Sequence, residues 1–507
     1  MLENLLGVIQ QEGVSEQLFH SLIGIEIEEN RIDKAGRVST RPHPTALGSR
    51  TFHPYVQSDF GESQTELITD PNPNISGVLD QLDTLQTVLF RTLEGDDRIW
   101  PLSMPPAVSE ADRETIKSHF GRPAYRAYRD YLTKKYGVDR KIVTGVHINF
   151  NLPDPVINRL FGHYQDQFDH VTAFKNALYF QLAQNMVLNR WLLTYLFGAS
   201  PVAEKGYFES MGTAPLSGPA RSLRNSQYGY SNQPADGVGA GIYQSLPAFI
   251  ETLEKQVAAG VLYSQAEFYG PVRFRGQKAL PDYLTRGIKY LEFRVFDNTP
   301  YTSNGVSRHA LNFLKIYFLY LMVTPVTGST LEADLQAAER LNNQVALEAP
   351  TSHTIAEQQG RQIFDELHDL AVKLAAHSEQ LTALDDFSEV MTHPELTPAA
   401  KLTKHIKNGS LMEYGVTRAA QLKAERTGAA DLLPVFSRLS VRAQELIFRA
   451  VQLGVRYYEV RDENGESMLM MTFDGMTQVV SVDFLPEEDA TTYLKRLFPD
   501  LPVPTTR

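Results

Sequence analysis

Between Ile23 and Glu28 every second residue is isoleucine, and the residues between are Gly24, Glu26 and Glu28. Side chains alternate across an extended chain, so this spacing predicts a strand with one apolar face and one acidic face. Such a strand must bury its isoleucines in a core while holding two carboxylates together on the other side. The design recurs twice. In Val146–Asn151, His147, Asn149 and Asn151 share one face, opposed by Val146, Ile148 and Phe150. In Ile288–Phe296, Glu292 and Arg294 lie on one side, backed by Leu291, Phe293 and Val295. Strands of this kind in one curved sheet would line a shared concave site.

A further acid-bearing segment, Ser58–Thr69, adds Asp59, Glu62 and Glu66. Several acids converging on one histidine cannot all stay ionised without compensation, because like charges at close range repel strongly away from water. Hard divalent cations resolve this, and carboxylate oxygens suit Mg²⁺ or Mn²⁺, which also bridge nucleotide phosphates. Arg294, beside Glu292, would then stabilise charge on a transferring phosphoryl group. Taken singly, each residue has a plainer reading. A Glu-x-Glu pair is usually a solvated face, His147 a satisfied structural histidine, and Arg294 a salt-bridge partner of Glu292. Glu62, four residues before Glu66, reads as decoration on an exposed helix. Repetition of one pattern across three strands favours the functional reading.

Around these segments, apolar spacing predicts one or two helices over Leu2–Leu22. Further helices are expected over Val78–Leu93, Pro123–Tyr136, Ala173–Phe197 and Leu246–Ala259, and dominate from Ser307 to Ala424. Strands are expected at Ile142–Asn151 and Ile288–Asp297. Residues 199–245 are rich in Gly, Ser, Pro and Asn and read as active-site loops. Beyond Leu433 a helix (Arg442–Leu453), a strand (Arg456–Arg461), a turn at Glu463–Gly465 and Met468–Phe473 suggest a small α/β appendage over 433–507. At 507 residues the chain is too long for one compact core. The expected division is a main domain over 1–432 followed by that appendage.

The net charge of −12 repels phosphate backbones, which argues against nucleic acid as partner. With no cysteine there are no disulfides, thiolate nucleophiles or Cys-based metal sites. The N-terminus lacks the features of a secretory signal. The most apolar run, Phe313–Val323, is interrupted by Lys315 and is too short to span a bilayer, so it reads as a buried helix. A cytoplasmic protein without membrane partners is expected. The run Gly237–Gly241 lacks dinucleotide-loop spacing, and neither a Walker loop nor a G-x-S-x-G elbow occurs. Tyr228–Tyr230 and Phe268–Gly270 are candidate aromatic pocket walls, although core packing is the commoner fate of such residues.

The chain resembles the bacterial glutamate–cysteine ligases, and most closely the ligase module of fused glutathione-synthesising enzymes. The resemblance lies in GIEIEENR at Gly24–Arg31, HPTALGS at His43–Ser49 and SDFGESQTELIT at Ser58–Thr69. It continues in WPLSMP at Trp100–Pro105, TGVHINF at Thr144–Phe150, LFGASP at Leu196–Pro201, SLRNSQYGYSN at Ser222–Asn232 and YLEFRVFDNTP at Tyr290–Pro300. It implies an α+β fold like that of glutamine synthetase, with a curved, mainly antiparallel sheet forming a funnel-shaped active site amid helices.

It implies metal ligands at Glu26, Glu28, Asp59, Glu66, His147 and Glu292, and a phosphate-contacting Arg294, with Glu292 and Arg294 as the catalytic pair. Around the amino-acid substrates it places Arg224, Tyr128, Arg129, Tyr230 and Tyr269, with Asn149 on the neighbouring strand. Phe60 and Leu132 fall where the family has apolar walls near the cysteine side chain. The implied reaction joins L-glutamate to L-cysteine with ATP and Mg²⁺ or Mn²⁺, through γ-glutamyl phosphate, in a monomer or homodimer.

Two positions depart from the family: Ile27, expected to point away from the site, replaces a basic residue, and Lys141 stands where some relatives carry Gln. The stretch SVRAQELIFRAVQLGVRYYEVRD is similar to the start of the second, ATP-grasp module of the fused enzymes. Too little chain follows for that module's catalytic parts, so glycine addition is not expected. The competing readings are a ligase with another acceptor amine, a non-catalytic amino-acid or nucleotide binder, and a paired-carboxylate hydrolase.

Overall fold

The computed structural model describes residue 2 and residues 4–50, 52–116, 122–326, 328 and 330–503. The expected elements touching residues 3, 327 and 329, and the end of the appendage at 504–507, lie partly outside the described residues. Seven strands form the larger sheet: β1 (Leu22–Ile32), β2 (Val56–Ser58), β3 (Gln64–Ile68), β4 (Arg98–Trp100), β5 (Val146–Asn151), β6 (Val272–Arg275) and β7 (Tyr290–Phe296). Their order is β2-β3-β1-β5-β7-β6, with β4 also on β1, and every pairing is antiparallel.

The alternation in β1, β5 and β7 decides which face is buried. Ile23, Ile25 and Ile27 join Val146, Ile148, Phe150, Leu291 and Phe293 in one hydrophobic core. Helix Arg308–Val323 covers that face. Phe318 stacks on Phe293 with ring centres 4.2 Å apart and meets Phe150 edge-on at 5.2 Å. Ser307 caps this helix by accepting from the Ala310 amide at 3.0 Å. Lys315 interrupts its apolar sequence without leaving the interior, donating to the carbonyls of Phe19 and Pro73 at 2.7 and 2.6 Å. Among the described residues, no helix is long and apolar enough to cross a membrane.

Three readings need correction. The strand expected over Ile142–Asn151 begins only at Val146, because Val138–Lys141 forms a helical turn and the Thr144 amide is drawn to the Ser103 carbonyl at 2.9 Å. Ser58–Thr69 is a hairpin rather than one segment: β2 ends at Ser58 and β3 starts at Gln64. Glu62 lies in that turn, buried instead of on an exposed helix; its carboxylate takes the Arg50 guanidinium at 2.5 Å and the His43 amide at 2.9 Å.

Residues 456–481 form a second antiparallel sheet, β8 (Arg456–Arg461), β9 (Ser467–Phe473) and β10 (Met476–Ser481), in the order β10-β9-β8. Helix Val441–Leu453, capped by Ser440 and ended by Gly454 at φ 74°, packs against it and against helix Ile75–Thr92. The contact with the larger sheet is polar and specific. His53 Nδ1 accepts from the Tyr55 and Val56 amides at 3.1 and 2.8 Å, so Nε2 carries the proton and donates to the Val451 carbonyl at 2.8 Å. Tyr55 donates to Asp70 at 2.9 Å and accepts from the Tyr457 amide at 3.2 Å, while Arg456 pairs with Asp70.

Candidate active site

The register of the sheet brings the sequence-predicted acids together. Glu28 stands opposite Glu66 across β1–β3, and Glu26 stands opposite His147 across β1–β5. Glu292 on β7 stands between Asn149 on β5 and Arg273 on β6. The β5–β7 register shifts between Val146 and Ile148, so His147 sits on a local irregularity that re-aims its ring. Its Nδ1 is 3.4 Å from Glu26 and 3.6 Å from Glu292, and its Nε2 is 3.7 Å from Glu28. Asn149 donates to the other Glu26 oxygen at 2.9 Å.

One end of this polar face carries a surplus of acid. One ligand atom each from Glu26, Glu66 and His147 lies within 4.8 Å of the others. Burial, with Asp59 close by, pushes the Glu28 carboxyl up to about 8. Loss of hydration and the charges of Glu26, Asp59, Glu28 and Glu292 hold Glu66 well above the usual carboxylate range. Burial and Arg294 push His147 down to about 4, which keeps the imidazole neutral, and its buried Nε2 makes no hydrogen bond among the described residues. A neutral ring nitrogen aimed among crowded oxygens is the donor set a divalent cation takes. The residues present therefore fit such an ion.

The other end carries a surplus of base. Burial pushes the Glu292 carboxyl up, but the Arg294 and Arg275 guanidiniums overcome that and hold it well below its ordinary value. Arg294 Nη1 is 2.5 Å from Glu292 Oε1, Arg275 engages Oε2, and Arg294 Nη2 donates to the Tyr230 hydroxyl. Arg273 adds a further, half-buried guanidinium held by the Phe268 carbonyl, 3.0 Å from Nε. Arg224 is 1% exposed and occupies space that only Gly145 leaves: a Cβ there would meet its Nη2 at 2.1 Å.

The aromatic and apolar candidates lie beside this end. Phe60 and Leu132 are buried in a separate cluster with Ile116, Tyr136 and Ile142, against which Tyr128 and Tyr269 pack. Tyr230 and Tyr269 meet edge-on with ring centres 4.9 Å apart and, with Arg294, line a cavity of about 540 Å³. Arg129 reaches the Asp59 carbonyl at 3.0 Å, which ties helix Pro123–Tyr136 to the acid-bearing turn. Gly239 and Ala240, from the run Gly237–Gly241, line the same cavity.

Arg275 and Arg273 escaped the sequence reading, although Val272-Arg-Phe-Arg275 shows the same period of two as the strands that were recognised. Four residues offered too short a run to stand out. Asp297 was also missed; it accepts from the Ala199 amide, Ser200 and Ser222 at 2.7, 2.7 and 2.8 Å and pins the loops around Arg224.

The class defined by fold and site is a mixed helix and antiparallel-sheet protein whose polar sheet face gathers cation-seeking acids beside anion-seeking bases. The chain belongs to the glutamate–cysteine ligase family, whose profile matches residues 6–261 and 254–345. It is 34% identical over 478 residues to the glutathione biosynthesis bifunctional protein of Pasteurella multocida, covering 94% of this chain and 61% of that protein. Among solved structures, a bifunctional glutathione synthetase from Pasteurella multocida superposes with a TM-score of 0.86 at 31% identity, over 97% of this chain and 64% of that one. A glutamate–cysteine ligase from Francisella tularensis in complex with AMP shares the fold, with a TM-score of 0.74 at 22% identity, covering 85% and 92% of the two chains. The chain thus spans about three fifths of the length of the curated relative it matches.

Proposed function

We propose that this chain is an ATP- and Mg²⁺-dependent ligase that forms γ-glutamylcysteine from L-glutamate and L-cysteine, the first step of glutathione biosynthesis. The observation that carries the reading is the divided polar face, acids at one end and guanidiniums at the other, in a member of this family. In the reaction, the γ-carboxylate of glutamate attacks the γ-phosphorus of ATP. The new C–O–P bond forms as the bond to the ADP oxygen breaks. The free α-amine of cysteine then attacks the acyl carbon, phosphate leaves, and the amine proton passes to solvent.

Glu26, Glu28, Asp59, Glu66 and His147, with Glu292 at the boundary, would hold Mg²⁺ or Mn²⁺, which supplies charge neutralisation for the phosphate oxygens when bound. Arg294 is positioned by Glu292 and Tyr230 to meet the transferring phosphoryl group. Arg224 offers a planar fork to a substrate carboxylate. Tyr128, Arg129, Tyr230, Tyr269 and Asn149 border the amino-acid space, and Phe60 and Leu132 wall the thiol.

In this reading the larger sheet is the funnel of a glutamine synthetase-like domain over 1–432, and 433–507 is an appendage similar to the start of an ATP-grasp module. The protein acts in the cytoplasm as a monomer or homodimer. The test is ADP release by the purified protein with Mg²⁺, ATP and glutamate, with and without cysteine, and with EDTA as control. Cysteine-dependent release with γ-glutamylcysteine as product is the expected result. No release under any condition overturns the reading in favour of a binding protein, and turnover without ATP in favour of a hydrolase.

A further inference from the structure

Two of the candidate metal ligands, Asp59 and Glu66, belong to the β2–β3 hairpin, and β2 is a weakly held strand. It has three residues, lies at the end of the sheet order, and among the described residues pairs with β3 alone. Glu66 is also secured by β1, which it faces at Glu28. Asp59, one residue past β2, has no second strand behind it. A short edge strand does little by itself to fix where its end points. Yet the charge of Asp59 is felt by both Glu28 and Glu66.

The base of this hairpin is fastened from the second sheet. Tyr55, one residue before β2, and Asp70, two residues past β3, stand on its two sides, where the Ile68 amide donates to the Tyr55 carbonyl at 2.9 Å. The buried Tyr55 hydroxyl donates to one Asp70 oxygen, which Gln81 of helix Ile75–Thr92 also reaches at 3.0 Å. The same hydroxyl accepts from the Tyr457 amide of β8, and Arg456 of β8 takes the other Asp70 oxygen. Just upstream, His53 grips the Val451 carbonyl, and a Cβ on Gly48 would meet the Gln452 carbonyl at 3.3 Å. Apolar packing alone would leave a surface that can slide. Hydrogen bonds are directional, so a clasp across both sides of a hairpin fixes its pitch.

We propose that the second sheet is a positioning element for the acid end: through Arg456, Asp70 and Tyr55 it sets the β2–β3 hairpin and so places Asp59 for a divalent cation. The proposal rests on the cation reading of that end given above. The three clasp residues act through the hairpin. At the other end of β2, Arg129 holds the Asp59 carbonyl, so the segment is fastened on both sides of the ligand.

The experiment is Mn²⁺ binding to the full chain without substrates, followed by loss of the free-ion EPR signal. It compares the wild type, Tyr55→Phe, Arg456→Met and the two combined. Leu367→Ala serves as the stability control, since it opens a cavity in helix Glu357–Lys373, which packs on other helices. Losing a group directly behind a metal ligand costs roughly 10–100-fold in affinity, and the clasp stands a step further back. Each single variant should therefore weaken Mn²⁺ binding about 3-fold and the pair about 10-fold. The Mg²⁺ concentration for half-maximal rate should rise in step, with kcat at saturating Mg²⁺ near that of the wild type. Leu367→Ala should melt lower and bind Mn²⁺ normally. Clasp variants that bind Mn²⁺ as tightly as the wild type, whatever their melting temperature, would make the clasp a fastening of the fold and overturn the proposal. Equal weakening in Leu367→Ala would trace the loss to general loosening and overturn it too. A wild type that binds no Mn²⁺ removes the cation reading of the acid end itself, and the proposal with it.

Discussion

The two ends of one polar face are built from the same kinds of strand and end in opposite electrostatic states. At the β1–β3 end, Glu28 and Glu66 face each other across the ladder and both are held above their ordinary range. At the β6–β7 end, Glu292 is gripped by two guanidiniums and held far below it. The difference teaches that burial alone does not set the fate of a carboxylate; the sign of its neighbours does. The first arrangement suits a cation and the second an anion. A phosphoryl group between them would meet both.

The comparison breaks most visibly at Glu292. Glu292→Gln leaves Arg275 and Arg294 facing each other without their shared counter-charge. Loss of one partner from a buried ion pair costs about 3–5 kcal/mol, so urea unfolding should show a large drop in stability, along with loss of turnover. Near-normal stability would mean that the basic end does not depend on this acid.

The pH dependence sharpens the contrast. Glu28 has a folded value raised from 4.5 to about 8, so between those limits the folded state holds a proton that the unfolded state has released. Its contribution is fully present below about pH 4.5 and is lost as pH rises through about 8. His147, pushed from 6.5 to about 4, works the other way: the folded state binds fewer protons between those values, so stability from this group rises over that range. The stability difference between wild type and Glu28→Gln removes the His147 term. Measured in EDTA, it should fall by up to roughly 1 kcal/mol per pH unit across the Glu28 window. A flat difference would place Glu28 in an ordinary environment.

How much of this was legible in the sequence follows from the length of the signal. β1, β5 and β7 announced themselves because five or more residues alternate apolar and polar, and their apolar side chains join the core while most of the polar face is buried as well. Ile27 points into the core as its place in the alternation requires. β4, of three residues, and β6, of four, gave too short a run, and with β6 went the arginine that clamps Glu292. Glu62 was misread because spacing of four is shared by a helix and a tight turn, and only the packed turn, with its Arg50 and His43 contacts, separates them. Lys141 stood out as a departure from the family, yet its burial against the Tyr269 hydroxyl is a property of the packed site.

The most direct test of a divided face is the thermal unfolding of Glu66→Gln against wild type, first in EDTA and then with Mg²⁺. Removing one of several crowded charges should raise the midpoint in EDTA by a few degrees, on the order of 1 kcal/mol. Mg²⁺ should then stabilise the wild type but barely move the variant, because an ion that binds only the folded state stabilises it by mass action. If Glu66→Gln instead melts lower in EDTA and responds to Mg²⁺ as the wild type does, Glu66 is a structural acid and the acid end is no cation site.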